Sequence, residues 1–255
     1  MTTSSTTPLA GRAYLITGAG NGIGRATALH LASLGAIVGV NDLREAFVAE
    51  SVQMVADQGG HAVGIVQDVS SRDGMRAAVQ ALADAAGRLD GLVNNAAWVR
   101  YQSVADIAPE TVDRMLNIGF KAIIWGIQAA AEVIGPQGGA IVNVASAAGL
   151  RSTPNSMVYS GIKAGIMGLT RAAAVDLGGR SIRVNAIAPS AVPTEGTIRN
   201  RDAERDARRI AQTPLGRLGR VDDMARSIAF LLSDDSAFIT GQVLSVDGGI
   251  STSFL

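Results

Sequence analysis

Tyr159 and Lys163 are the two side chains in this sequence whose types and spacing best suit proton transfer. Residues four apart in a helix project from one face, so the phenol and the ammonium can act on the same site. A free phenol titrates near ~10, and a nearby positive charge lowers that pKa by stabilising the phenolate. The pair therefore predicts a tyrosine acid/base whose pKa is lowered by the lysine. By itself, this spacing is more often that of a surface pair.

Ser146 is the third residue that this chemistry requires. It comes thirteen residues before Tyr159, just beyond the fifth predicted strand, where its hydroxyl can hold a substrate oxygen. Read alone, it is only a small polar residue among Ala145, Ala147 and Ala148. Together with the tyrosine and the lysine, it predicts a proton-handling site at one edge of a sheet.

A glycine-rich turn, Thr17–Gly24, follows the first predicted strand and leads into a helix. Glycine permits positive φ and a close approach of ligand to backbone, and the free N–H groups at a helix start attract a pyrophosphate. The spacing is Thr-Gly-x-x-x-Gly-x-Gly and not the common Gly-x-Gly-x-x-Gly, because Ile23 stands three positions beyond Gly20. The turn predicts a dinucleotide site, and tight packing alone is the alternative.

Asp42 ends the second predicted strand, where a dinucleotide-binding unit places an acid to accept hydrogen bonds from the adenosine ribose. A 2′-phosphate beside this carboxylate would cost about 4 kcal/mol per charge pair at ~4 Å and an effective dielectric near ~20. NAD is therefore predicted over NADP. Two alternatives weaken this prediction: Arg44 can neutralise the carboxylate, and Asp42 can be a cap of the next helix.

Short β-branched runs alternate with longer Ala-rich amphipathic stretches from Arg12 onward. This alternation predicts one α/β domain with a Rossmann-type, doubly wound, seven-stranded parallel sheet and helices on both faces. The predicted strands are Ala13–Thr17, Ala36–Asn41, His61–Val66, Gly91–Asn94, Ala140–Ala145, Ile182–Ile187 and Gln242–Val246. The predicted helices are Ile23–Leu34, Arg44–Gln58, Ser71–Ala86, Gly119–Ile134 and Val158–Leu177.

Two segments depart from this alternation. Residues 1–8 are predicted to be a disordered tail, which leaves 9–255 as a single catalytic domain. A charged insertion, Ile198–Gln212, interrupts the spacing after the sixth strand. It predicts either a solvated helix or a mobile lid over a substrate cleft, and we place that lid at about residues 194–215.

The composition excludes several classes of protein. The 22 basic and 22 acidic side chains cancel, which argues against nucleic acid or a membrane surface as a partner. There is no cysteine and there are only two histidines, so thiol chemistry and a metal site are not expected. No apolar run reaches the ~20 residues of a membrane span, and the start lacks the pattern of a secretory signal. We therefore expect a cytoplasmic protein.

Taken in order, these motifs resemble the short-chain dehydrogenase/reductase family, in its subtype of ~250 residues. The resemblance extends from Leu9 to Ser251 and rests on several motifs at once, which makes it specific. The motifs are Thr17–Gly24, Asp42, Asp68-Val69, Asn94-Asn95-Ala96, Asn117, Ser146, Tyr159-x-x-x-Lys163, Arg183-Val184-Asn185, Pro189–Thr194 and Asp247-Gly248-Gly249.

The resemblance implies a role for each matching residue. Tyr159 is the general acid/base, Lys163 tunes it and binds the nicotinamide ribose, and Ser146 positions the reacting oxygen. Asn117, in a helix interrupted near it, supports a water-mediated proton path to the lysine. The implied cofactor-binding residues are Gly18, Asn21, Gly22, Ile23, Gly24, Asp42, Leu43, Asp68, Val69, Asn94, Ala96, Tyr159, Lys163, Pro189, Val192 and Thr194.

Two positions differ from the family pattern and bear on the substrate. Ala97 and Ser190 stand where the family has glycine, so each adds bulk beside the cleft. Trp98 is equally consistent with the pocket and with the core. The expected pocket suits a small, neutral, mostly apolar compound. Its residues are Ala97, Trp98, Ala147, Ala148, Ser152, Met157, Ser190 and Ala191.

The resemblance therefore implies an NAD-dependent oxidoreductase that interconverts a secondary alcohol and a ketone, with the proton passing through Tyr159. An NADPH-dependent 3-oxoacyl thioester reductase, acting on an acyl carrier protein, shares the same motifs and is the alternative enzyme. A catalytically silent nucleotide-sensing scaffold is the alternative from another class. The family is commonly tetrameric, and we expect a homotetramer here as well.

Overall fold

A computed structural model describes residues 7–198 and 202–253. It contains one parallel sheet of seven strands in the order β3-β2-β1-β4-β5-β6-β7. Every predicted strand is confirmed, with ends that shift by at most two residues. The strands are β1 Ala13–Thr17, β2 Ile37–Asp42, β3 His61–Val66, β4 Gly91–Asn94, β5 Gly139–Val144, β6 Ile182–Pro189 and β7 Val243–Val246.

Helices cover both faces of the sheet, as predicted. Helices α1, α2 and α9 enclose one buried cluster, α3, α5 and α6 enclose a second, and a third lies among α4, α5 and α6. The helices within the described ranges are α1 Gly22–Ser33, α2 Glu45–Asp57, α3 Arg72–Ala86, α4 Pro109–Leu116, α5 Ala122–Val133, α6 Met157–Gly178, α7 Glu195–Ile198, α8 Ala203–Gln212 and α9 Val221–Leu232. None of these is both long and apolar enough to cross a lipid bilayer.

Strand β1 shows why the sheet needs helices on both sides. All five of its residues are buried. Successive side chains of a strand point to opposite faces. Accordingly, Tyr14 and Ile16 belong to the cluster under α1, while Ala13 and Leu15 belong to the cluster under α3. A strand that is apolar on both faces is stable only between two layers of helix.

The strand order places a cleft at the carboxyl edge of the sheet. The chain runs outward from β1 through β2 to β3 and then crosses back to place β4 on the other side of β1. The connections that leave β1 and β4 therefore run in opposite directions, and ligands of doubly wound sheets bind in the crevice between them. The glycine-rich turn and the loop after β4 both lie there.

The region before α5 differs from the prediction. The helix predicted from Gly119 begins as an α-helix only at Ala122, because Asn117–Lys121 form a π-helical turn. Helix α4, which precedes this turn, was missed by the prediction. It has only eight residues and begins with Pro109, which suits the first position of a helix. The three segments form one helical stretch that is interrupted at Asn117.

The two unusual segments are described in part. Thr7 already belongs to a turn, since its carbonyl accepts a hydrogen bond from the Ala10 N–H at 3.0 Å. The predicted tail therefore ends sooner than residue 8, and its residues 1–6 lie outside the described residues. The solvated helix predicted in the insertion is observed as α8, which Asp202 caps by accepting from the Arg205 N–H at 3.1 Å. Residues 199–201 of the predicted lid lie outside the described residues.

Candidate active site

Ser146 lies two residues beyond β5 and opens a short 3₁₀ turn. Its Oγ accepts a hydrogen bond from the Ala148 N–H at 3.1 Å and donates to the carbonyl of Pro189, 3.4 Å away. These contacts fix the buried hydroxyl between the ends of β5 and β6. The position agrees with the prediction that Ser146 faces the carboxyl edge of the sheet.

Tyr159 projects from the first turn of α6, and its hydroxyl is near enough to Ser146 for that side chain to influence its pKa. Burial raises the pKa of this phenol to about 12; the interaction with the Ser146 hydroxyl opposes the rise, and nearby Tyr101 adds to it. The predicted lowering of this pKa by Lys163 is therefore wrong for this chain by itself. The physical reason is that removal from water disfavours the charged phenolate more than its polar neighbours favour it.

Lys163 lies one turn further along α6 and is buried. Its Nζ donates to the carbonyl of Val144 at 2.6 Å and lies 5.7 Å from the centroid of the Tyr159 ring. Burial lowers the pKa of this ammonium to about 8. The lysine is thus tied to the last residue of β5, beside the phenol but not hydrogen-bonded to it in the described structure.

Asn117 is the first residue of the π-helical turn, so the interruption of the helix implied by the resemblance is observed. Its Oδ1 accepts a hydrogen bond from Lys121 Nζ at 3.0 Å. It also lines a cavity of about 440 Å³ together with Leu43 and Asp68. Among the described residues, the hydrogen-bond partners of Asn117 and Lys163 are different groups. A proton path between these two side chains therefore stays a prediction.

The glycine turn has a backbone that only glycine adopts easily. Gly18 and Gly22 have φ of +64° and +56°. A Cβ on Gly24 would lie 2.3 Å from the carbonyl oxygen of Gly18, so the start of α1 is packed directly on the turn. Asn21 takes the N-cap position with extended backbone and no side-chain cap. This helix start, packed directly on the turn, fits the pyrophosphate of a nicotinamide dinucleotide.

Sequence reasoning missed the residues that brace this turn. Arg25 is buried, donates to the carbonyl of Gly20, and donates through Nε to Ser51 Oγ at 2.9 Å. From the other side, Asn95 Nδ2 donates to the carbonyl of Thr17 at 2.9 Å. Asn95 was visible in the Asn-Asn-Ala motif, whereas nothing in the sequence marks Arg25, because its partners come from another helix.

Two predicted cofactor residues point their side chains elsewhere. Asn94 is 3% exposed, and its Nδ2 donates to Asn143 Oδ1 at 2.9 Å inside the sheet. Val69 is 6% exposed and packs in the core under α3. Contact of these two residues with the cofactor stays a prediction.

Asp42 faces the glycine turn as predicted. One carboxylate oxygen lies 2.6 Å from the position that a Cβ on Gly20 would occupy. The cap alternative is wrong, since Arg44 is the N-cap residue of α2. The Arg44 Nε is 3.9 Å from the Asp42 carboxylate, while its guanidinium lies over the Phe47 ring at 3.4 Å from the centroid.

The segment after β6 returns to the glycine turn. Pro189, which ends β6, accepts the hydrogen bond of Ser146, and Val192 packs against the core. Thr194 lies 3.2 Å from the position of a Cβ on Gly22. The remaining predicted residues also lie around the turn: the Ala96 N–H is 3.1 Å from Thr17 Oγ1, and Ile23 packs against the core.

The expected substrate side is lined by aromatic rings. Trp98 is half-buried and packs against the same cluster as Tyr159, so it belongs to core and site at once, and the Arg114 guanidinium lies 4.3 Å from its ring centroid. Tyr101, which the sequence analysis missed, stacks edge-on against Tyr159 with ring centroids 5.6 Å apart. Arg151 instead binds the carbonyls of Ile250 and Ser253.

Comparison with known proteins agrees with this arrangement. The model of a family described as enoyl-(acyl carrier protein) reductase matches residues 18–251. A D-erythrulose reductase from Gallus gallus is 40% identical over 246 residues, which cover 95% of this chain and 97% of the relative. A 3-oxoacyl-[acyl-carrier-protein] reductase from Thermotoga maritima is 36% identical over 243 residues, with 95% and 98% covered.

Solved structures share the fold. A protein from Agrobacterium tumefaciens, assigned as a 2-deoxy-D-gluconate 3-dehydrogenase and solved with bound NADP, superposes with a TM-score of 0.90 at 30% identity. The superposition covers 98% of this chain and 100% of that one. The cleft described above is therefore similar to one that holds a nicotinamide dinucleotide.

Proposed function

Because this chain belongs to the short-chain dehydrogenase/reductase family of oxidoreductases, we propose that it interconverts a secondary alcohol and a ketone with NAD. The observation that carries this proposal is the meeting of Tyr159 with Ser146 and with the buried Lys163, whose Nζ lies 5.7 Å from the Tyr159 ring centroid. These groups lie at the same sheet edge as the glycine turn. A hydride and a proton can therefore be exchanged at one carbon–oxygen bond.

Each residue has a separate task in this proposal. The dinucleotide, when bound, supplies the hydride acceptor or donor. Ser146 holds the reacting oxygen, and Tyr159 gives that oxygen a proton or removes one. Since the pKa of Tyr159 is about 12, the phenol holds its proton at neutral pH and is ready to act as the acid in ketone reduction. Lys163 anchors the helix that carries the phenol to the end of β5.

NAD is the proposed cofactor because of the charges near the adenosine side. Asp42 lies against the glycine turn, and the adjoining cavity is lined by Asp68, Glu110 and Asp113 together with Arg114. A 2′-phosphate beside Asp42 would cost on the order of 4 kcal/mol for a close charge pair. Arg44 is the nearby cation, 3.9 Å from the Asp42 carboxylate, but its exposed guanidinium is screened by solvent and lies over Phe47. The value of kcat/KM should therefore be higher with NAD(H) than with NADP(H).

The proposed substrate is a small, neutral, mostly apolar alcohol or ketone. Trp98 and Tyr101 present aromatic surface beside Tyr159, and Ala97 and Ser190 add bulk at the two strand ends. The charge of Arg151 is engaged by the backbone carbonyls of Ile250 and Ser253. A panel of secondary alcohols and ketones with NAD(H), followed by nicotinamide absorbance, tests this proposal.

Replacement of Tyr159 by Phe tests the assigned acid/base. The variant should lose roughly 10²–10⁴-fold of kcat, because the proton loses its carrier, while NAD affinity stays nearly unchanged. Affinity is measured by calorimetric titration and kcat by absorbance with the best substrate of the panel. A variant that keeps more than about a tenth of kcat would refute the role of Tyr159.

The second candidate is a 3-oxoacyl thioester reductase that uses NADPH. The observation in its favour is the 36% identity to the Thermotoga maritima reductase, which the name of that relative assigns to acyl carrier protein chemistry. Asp42 opposes it through cofactor choice. Faster turnover of a 3-oxoacyl thioester with NADPH than of any simple ketone with NADH would select this candidate.

A homotetramer is the proposed assembly. Several large apolar side chains are exposed on the isolated chain, among them Phe238 and Val175, which are 104% and 82% exposed. A subunit interface would remove such side chains from water. Light scattering on a sizing column should give a mass close to four times the 26.1 kDa of one chain. A mass of one chain would contradict the proposal.

A further inference from the structure

Glu195, the first residue of α7, places its carboxylate against the glycine turn. Its Oε2 accepts a hydrogen bond from the Gly22 N–H at 3.2 Å, and its Oε1 lies 3.5 Å from Nη1 of Arg25. Gly22 is the first residue of α1, so its N–H has no acceptor within the helix. The carboxylate therefore holds a position to which a helix start attracts an anion.

The surroundings show that this contact is specific and easily broken. Thr194 packs 3.2 Å from the Cβ position of Gly22, which brings the whole segment onto the turn. Arg25 is held independently by Gly20 and Glu50, so it stays in place without Glu195. The Glu195 side chain is 61% exposed, and its carboxylate is rehydrated at little cost when it leaves.

We propose that Glu195 is an affinity-determining residue, whose carboxylate occupies the pyrophosphate position at the start of α1 and leaves when a dinucleotide binds. This inference rests on the proposed function. A carboxylate and a pyrophosphate cannot share the single N–H of Gly22, and their negative charges repel each other. The apparent affinity for the cofactor is then reduced by the fraction of molecules in which Glu195 is bound to the turn.

The same contact couples the cofactor to the charged segment. Glu195 begins α7, and α7 precedes the charged helix α8 along the chain. When the carboxylate leaves Gly22, α7 loses this contact with the glycine turn.

Calorimetric titration of NAD⁺ into wild type, Glu195→Gln and Glu195→Ala tests the proposal. The amide keeps an oxygen but loses the charge, and alanine loses both. Each variant should bind NAD⁺ roughly threefold or more tightly, with alanine at least equal to glutamine. Glu50→Gln is the matched control, since Glu50 pairs with the same guanidinium at 2.5 Å but lies on α2. It should stay within about twofold of wild type.

Two simpler probes separate displacement from a general change in the turn. Inorganic pyrophosphate carries the competing charge alone, and adenosine carries the base and ribose alone. Glu195→Gln should bind pyrophosphate more tightly than wild type does and should bind adenosine equally well. Unchanged or weaker NAD⁺ binding by both Glu195 variants would overturn the proposal. An equal gain in Glu50→Gln, or an equal gain for adenosine, would overturn it too.

These outcomes are distinct from failure of the proposed function. If wild type binds NAD⁺ and turns over an alcohol while Glu195→Gln shows the same affinity, only the role of Glu195 is wrong. If wild type and every variant fail to bind any nicotinamide dinucleotide, both the function and the inference are wrong.

Discussion

The raised pKa of Tyr159 can be tested by ultraviolet absorbance, which detects ionised tyrosine. Burial raises this pKa to about 12, above the value of about 10 for a free phenol, so the folded chain keeps the phenol protonated where a free tyrosine ionises. Ultraviolet titration of tyrosinate in wild type and Tyr159→Phe should then give the same absorbance at about pH 10 to about pH 11. A signal in this range that disappears in the variant would contradict the expectation.

Replacement of Ser146 by Ala is a second test of the pKa of Tyr159. The Ser146 hydroxyl lowers the pKa of Tyr159, so Ser146→Ala should move that ionisation still higher. The same variant should lose turnover by roughly 10²-fold, because the substrate oxygen loses its donor. Tyr159 titration and kcat are measured on one preparation. A titration that shifts to lower pH would mean that the hydroxyl stabilises the neutral phenol and not the phenolate.

Single residues differ in how far the sequence predicts them. Tyr159 and Lys163 are recognisable because helical spacing relates them directly. Their electrostatics were predicted wrongly, since the pKa of the phenol depends on burial and on Tyr101, a residue from a distant loop. Arg25 and Glu195 carry no sequence signal at all, because each acts on a turn that folding brings to it.

At the scale of elements, two glycines give a matched pair of variants. Helix α5 packs on β4 so closely that a Cβ on Gly126 would lie 2.3 Å from Asn94 Oδ1. Gly126→Ala should lower the free energy of unfolding by about 1–3 kcal/mol through this overpacking. Gly161 in α6 has no atom within 4 Å of its Cβ position, and Gly161→Ala should raise stability by about 0.5–1 kcal/mol.

Chemical denaturation of the two variants and wild type measures both effects. Equal stabilities of the alanine variants would contradict the close approach of α5 to β4. The result bears on the site as well, because Asn94 ends β4 at the edge of the cleft and is held by Asn143 of β5. A shift of α5 is therefore transmitted to the strand that positions the loop of Asn95.

The strands and helices were predicted well where a single hydrophobic pattern distinguishes a strand from a helix. Most of the strands are short, buried runs rich in β-branched residues, and their short length favours a strand over a helix. Helix α4 and the π-helical turn are different, because eight residues give too few turns for a clear period and a π turn shifts the helical period of the residues after it. The start of α5 was misplaced for this reason.

At the scale of the whole molecule, we expect cofactor binding to stabilise the folded chain against unfolding. A ligand at ~100 times its Kd adds about 2.7 kcal/mol to the free energy of unfolding. For a chain of this size, that raises Tm by roughly 5–10 °C. Scanning fluorimetry with equal concentrations of NAD⁺ and NADP⁺ should show the larger shift with NAD⁺, because the Asp42 carboxylate beside the glycine turn would oppose a 2′-phosphate. An equal or larger shift with NADP⁺ would contradict the assigned preference.

The alternation of strands and helices along the chain predicted the doubly wound fold class, to which this strand order belongs. The position of the cleft came from that class, since parallel strands share one carboxyl edge. The assembly was not predicted from the residues, because exposed apolar side chains such as Phe238 do not reveal the geometry of a partner. The substrate depends on loops whose shapes obey no periodic pattern.

The pairing of β4 with β1 also affects the folding of this chain during its synthesis. Tyr14 is paired with Val38 on one side and with Gly91 on the other. While the ribosome is still producing the residues between these strands, one edge of β1 has no neighbour, and an open apolar edge invites pairing with foreign strands. Until β4 emerges, the early helices are the part of the chain that can cover β1.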